Sequence, residues 1–72
     1  MMAMVRFTDH AQYRLLERGI SIEQIKVVLK SPQLKRFSHG RWVARAQVDD
    51  ENVEVVYVEK GRDMIVLTAY YV

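Results

Sequence analysis

The sequence has no cysteine, one proline, three glycines and one tryptophan in 72 residues. Without cysteine there is no disulfide framework, no thiolate metal ligand and no cysteine nucleophile. Two histidines supply at most two imidazole ligands, so the sequence calls for no metal and no cofactor. No apolar run approaches the roughly 18 residues of a membrane span, and the opening Met1-Met2-Ala3-Met4 has no apolar stretch behind it to act as a signal peptide. Half of the residues are hydrophobic and 28% are charged, which excludes disorder, collagen and low complexity. A chain of this length buries only about 60–65% of its unfolded surface, enough for one core. The expectation is one soluble, cytoplasmic, metal-free domain over residues 1–72 with no membrane partner.

The net charge of +2 is unevenly spread. Residues 1–23 balance Arg6, Arg14 and Arg18 against Asp9, Glu17 and Glu23. From Gln24 to Val48 there are six cations (Lys26, Lys30, Lys35, Arg36, Arg41 and Arg45) and no acid. Six acids against Lys60 and Arg62 follow between Asp49 and Asp63, and residues 64–72 carry no side-chain charge. A basic middle with a sequence pI near 9.2 makes nucleic acid the first anion to test, against the plainer reading of a solvated surface.

Periodicity predicts an α+β domain. Met4 to Phe7 can form a short edge strand. Thr8 or Asp9 can cap a helix running to about Arg18, where Gly19 stops it. Ser21 and Gln24 form a capping box, and Ile22, Ile25, Val28 and Leu29 share one arc of a second helix that ends before Pro32. The two helices make an αα-hairpin. Beyond Pro32 the period becomes two, with runs at Leu34–Ser38, Arg41–Val48, Val53–Val58 and Met64–Tyr71 separated by polar turns. The expected architecture is the αα-hairpin packed on a three- to four-stranded antiparallel meander.

Two clusters carry candidate chemistry. On the first helix His10, Arg14 and Arg18 lie within an arc of roughly 80°. An imidazole beside two guanidiniums suits a phosphodiester, one moving a proton and the others neutralising oxygens. The structural reading has His10 bonding a backbone group and Arg18 anchoring beside Ala11 and Leu15. The second cluster is Lys35, Arg36, His39, Arg41 and Arg45, with Arg41 and Arg45 on one strand face and Trp42 on the other. It fits the stabilisation of a cleaved phosphate and equally a plain RNA-binding patch. Tyr57 and one of Tyr70 and Tyr71 are candidates for the core, and the other of that pair for base stacking. Asp49, Asp50 and Glu51 read as turn formers.

The stretch Phe7-Thr8-Asp9-His10-Ala11, then Arg14, Arg18, Gly19, Ile20 and Ser21, with Val27 and Pro32 beyond, resembles a widespread prokaryotic domain family of unknown function. That family has a T-x-H-A-x-x-R-x-x-x-R-x-I helix. Gly40-Arg41-Trp42 and Val55-Val56-Tyr57-Val58 stand where it has a basic strand and a V-V-Y-V strand. It is similar in topology to toxins of the RelE/ParE and BrnT types. The resemblance implies a RelE/ParE-like fold and a metal-independent endoribonuclease with a protein antitoxin, or a diverged relative. Residue by residue it points to His10, Arg14, Arg18, Arg41 and Tyr57. Taken with the two clusters, the catalytic candidates are His10, Arg14, His39, Arg41 and Tyr57, and the candidate RNA contacts are Arg18, Lys35, Arg36 and Arg45. The alternative is a non-catalytic module that binds protein or nucleic acid, pairing with a second copy through the uncharged strand Met64–Val72.

Overall fold

A computed structural model describes residues 4–72; Met1, Met2 and Ala3, read above as no leader, lie outside the described residues. The chain runs β1 (Val5–Phe7), α1 (Asp9–Arg18), α2 (Ile22–Lys30), β2 (Leu34–Ser38), β3 (Arg41–Val48), β4 (Glu51–Lys60) and β5 (Asp63–Tyr71). Local chemistry sets the helix limits. Thr8 Oγ1 accepts from the Ala11 amide at 3.0 Å, satisfying one of the free donors of α1. Gly19 closes α1 in the left-handed region at φ 68°, where a side chain would be strained. At α2, Ser21 Oγ accepts from the Gln24 amide and Gln24 Oε1 accepts from the Ser21 amide, at 3.1 and 2.7 Å.

The hairpin turns are tighter than periodicity suggests. Both central residues of His39-Gly40 and of Asp49-Asp50 have positive φ, the two-residue geometry that matches strand twist. The ladders therefore run almost to the turns. Glu51 and Asn52 belong to β4, as do Glu59 and Lys60, and Asp63 opens β5. These polar residues sit at exposed strand ends, where pairing costs them no hydration.

The sheet has five strands in the order β1-β5-β4-β3-β2, and it is mixed. This corrects the expected three- to four-stranded antiparallel meander. β1 pairs with β5 in parallel, Val5 opposite Met64 and Phe7 opposite Val66, while all other pairs are antiparallel. The meander β2–β5 returns its last strand beside the first one, which only a long-range contact can decide. A bulge at Val56/Tyr57 leaves Leu67 without a partner in the β4–β5 register.

Both helices cover one sheet face, α1 over β5 and β1, α2 over β3 and β4. Ala11, Leu15, Ile25 and Val28 meet Ala44, Ala46, Val53, Val55, Val66 and Ala69 there. Burying each valine in this layer is worth roughly 1.5–3 kcal/mol. The other face of the sheet is left without a helix, and it carries the odd-numbered residues of β3 from Arg41 to Gln47.

The uncharged C-terminal strand is not an edge. β1 covers β5 along Met64–Val66. Farther on, Arg18 Nη1 donates to the Ala69 carbonyl at 2.8 Å, and the Tyr71 hydroxyl donates to the Gly19 carbonyl at 3.1 Å. The route to a second copy through Met64–Val72 is thus obstructed by the domain's own groups.

Candidate functional site

The cross-strand register puts one row of residues on the uncovered face. Arg45 of β3 lies opposite Glu54 of β4, and Glu54 lies opposite Tyr70 of β5. Arg45 donates from Nε and Nη2 to Glu54 Oε1 at 3.3 and 3.1 Å, and the Tyr70 hydroxyl donates to Glu54 Oε2. Glu54 is only 5% exposed although no helix covers it, because the flanking Arg45 and Tyr70 close over it. A buried carboxylate is tolerable here because both oxygens have donors. Tyr70 keeps its proton more tightly than an ordinary tyrosine. The hydrogen bond to Glu54 is the main cause, followed by burial and the Glu54 charge, and the pull of Arg36 and Arg45 only offsets them in part.

Around this row stand further cations. Arg36 of β2 lies opposite Val43, two residues from Arg45 on the same face, and Arg41 lies two residues beyond Val43. Arg41 and Arg45 are thus about 13 Å apart along the strand, with Arg36 beside the gap. A shallow cavity of about 110 Å³ is lined by Leu34, Lys35, Arg36, Val43, Arg45 and Glu54. At the turn end, Ser38 pairs with Arg41, and Ser38 Oγ lies 2.8 Å from His39 Nδ1. That contact draws the His39 ring to the Ser38 side of the turn, the side that Arg41 shares.

The sequence candidates therefore divide between the two sides of the sheet. His39, Arg36, Arg41 and Arg45 come together on the uncovered face. His10, Arg14 and Arg18 belong to the helix layer on the opposite side of the sheet, so the two clusters do not share a cleft. There Arg14 Nη1 is paired with Glu17 at 2.8 Å, and Arg14 Nε donates to His10 Nε2 at 3.5 Å. Arg18 is spent on the Ala69 carbonyl and on Thr68. Tyr57, a candidate for catalysis, is 2% exposed and fills the core between the sheet and the helices. Its period-two neighbours Val53 and Val55 place it there. Lys35 shares its face with Ala44, its partner in β3, and its Nζ lies 4.6 Å from the centre of the Trp42 ring, a cation–π contact on the helix side.

The sequence patterns do not point to Glu54, and they leave Tyr70 and Tyr71 interchangeable as candidates for core or base stacking. Glu54 is the one charge inside the run Val53–Val58, and a lone carboxylate in a β-rich strand is the signal that marks it. Tyr70 differs from Tyr71 only in strand parity, which the bulge at Leu67 shifts relative to the earlier part of β5.

Among the described residues no helix is long and apolar enough to cross a membrane. No curated protein and no solved structure matches the chain. One family model matches residues 7–71, from the last residue of β1 to the last of β5. The chain belongs to the DUF4258 family, a domain of unknown function.

Proposed function

We propose that this domain is a metal-independent endoribonuclease of the RelE/ParE kind, or a diverged relative of one, and that it works from the uncovered face of its sheet. The observation that carries the reading is the gathering of Arg36, Arg41 and Arg45 beside His39 on one surface, in a stretch that has no acid of its own. Two guanidiniums four residues apart on β3, with Arg36 of β2 beside the gap between them, suit the phosphates of a single-stranded backbone laid along the strand. Arg41 holds the reacting phosphate, and Arg36 and Arg45 hold its neighbours.

In this reading His39 is the base. In the tautomer whose Nδ1–H donates to Ser38 Oγ, Nε2 is unprotonated and takes the proton of the ribose 2′-hydroxyl. The 2′-oxygen attacks phosphorus, the bond to the 5′-oxygen breaks, and that oxygen takes a proton from water. Arg41 stabilises the negative charge that grows on the phosphoryl oxygens, the role a metal ion fills in other nucleases. The products are a 2′,3′-cyclic phosphate and a free 5′-hydroxyl. A protein antitoxin belongs to the same reading.

A second reading, RNA binding without cleavage, uses the same face and is favoured by the ion pair that holds Arg45 against Glu54 at 3.1 Å. One experiment separates the two. The protein is incubated with single-stranded RNA in EDTA, the ends are identified, and binding is titrated against salt. Cleavage to cyclic ends that falls by at least about 10²-fold in His39→Ala and in Arg41→Ala, and is unchanged in His10→Ala, supports the nuclease. Salt-dependent binding without cleavage supports the module, with the log–log salt slope falling by about 1.4 in Arg36→Ala/Arg41→Ala. Binding that ignores salt removes both.

A further inference from the structure

The helix layer carries a cavity that nothing above uses. It is a groove of about 410 Å³ between α1 and the start of α2, lined by the apolar Phe7, Leu15, Leu16, Ile20 and Ile22 together with Tyr13 and the polar Gln12. Three of its walls stand out into solvent: Leu16 is 85% exposed, Tyr13 61% and Ile22 50%. A leucine so exposed beside an apolar hollow, on a domain with a small core, marks a contact surface. It lies on the opposite side of the sheet from Arg36, Arg41 and Arg45.

We infer that this groove is the interface of a homodimer in which Leu16 of each copy enters the groove of the other. Two observations select a second copy of this chain as the occupant. The patch is self-complementary, a protruding apolar side chain next to a hollow with apolar walls, as a two-fold contact requires. Its electrostatics also permit self-contact: residues 4–23, which include α1 and the start of α2, carry three cations and three acids. Arg14 and Glu17 already pair on that helix. Among the other exposed apolar side chains, Leu34 and Phe37 point to opposite faces of β2 within the six-cation stretch, where a second copy would meet like charge.

The expected interface is small. A tenth of the 5070 Å² surface of the described residues is about 500 Å² per copy, the size of a readily dissociating contact. The dimer leaves both uncovered sheet faces outward, so its existence does not depend on the RNA reading.

The test is the mass in solution of the full chain between about 1 and 100 µM, by sedimentation velocity, together with engineered crosslinking. The expected result is a shift from the 8.5 kDa chain mass towards twice that value as concentration rises. The shift is abolished in Leu16→Glu and Ile22→Lys and retained in Leu34→Ser and Phe37→Ser. Because the chain has no cysteine, Leu16→Cys gives a single thiol that forms a disulfide-linked dimer on mild oxidation, whereas Arg62→Cys at the β4–β5 turn does not. This arm puts no charge into the groove and so covers the case in which the charged variants fail to fold. A chain mass that stays at 8.5 kDa throughout overturns the inference. So does a dimer insensitive to both groove variants, one lost in Phe37→Ser, or equal crosslinking at the two cysteine positions.

Discussion

Replacing Tyr70 by Phe removes one hydroxyl from the uncovered sheet face and tests the account of how a buried carboxylate is held there. Glu54 loses the donor to Oε2 and keeps only Arg45 on Oε1. A buried acceptor deprived of its partner costs about 1–3 kcal/mol, and Tyr70 itself is partly exposed, so the lower part of that range, about 1–2 kcal/mol, applies here. For a domain of this size that is a fall in Tm of about 5–15 °C, read by circular dichroism at pH 7. The pH dependence gives a second, independent readout. The folded state raises the pKa of Tyr70 above its ordinary value of 10.0. Below pH 10 the tyrosine is protonated whether folded or unfolded, and the hydrogen bond contributes in full. Above pH 10 the unfolded chain gives up the proton that the folded chain retains, so the advantage of wild type over Tyr70→Phe shrinks as pH rises through the folded value. Because the other tyrosines are common to both proteins, the difference between the two Tm curves isolates Tyr70. A Tyr70→Phe protein melting within about 1 °C of wild type at pH 7 would show that water replaces the hydroxyl and that Glu54 is less sequestered than its burial implies. A difference that stays constant into the alkaline range would refute the link between Tyr70 and Glu54.

Two further substitutions probe the scaffold. Tyr57→Ala empties the largest buried side-chain volume between sheet and helices and should cost about 3–5 kcal/mol, close to the whole margin of a small domain, so loss of amide dispersion in proton NMR at 25 °C is the expected result. Gly19→Ala meets no atom within 4 Å, so its cost is that of the left-handed backbone alone, about 1–2 kcal/mol; the urea midpoint should fall with an unchanged m-value, and a stability equal to wild type would mean that the C-cap can rearrange.

Much of the local structure is legible in the chain itself. Thr8, Gly19, Ser21 and Gln24 mark three helix ends through bonds that span at most five residues, and the structure makes each of them. Alternation in Arg41–Val48 assigns Ala44, Ala46 and Val48 to the core and Arg41 and Arg45 to the opposite face, because strand side chains have a strict period of two. The same logic puts Tyr57 with Val53 and Val55 in the core, against the catalytic role that the family resemblance implies for it. It also gives no hint that a bulge near Leu67 resets the parity that decides which of the two terminal tyrosines joins Glu54.

What the sequence by itself determined is therefore the set of elements, their order and, up to the bulge in β5, the face that each residue of a strand presents. These follow from contacts between near neighbours in the chain. The tertiary structure decided which elements meet: β1 beside β5, Arg18 on the Ala69 carbonyl 51 residues away, and Tyr70 on Glu54 across the ladder. It also decided that the helix imidazole and the strand guanidiniums stand on opposite sides of one sheet. Burial drives both helices onto the same apolar face, and a sheet one residue thick separates whatever its two faces carry.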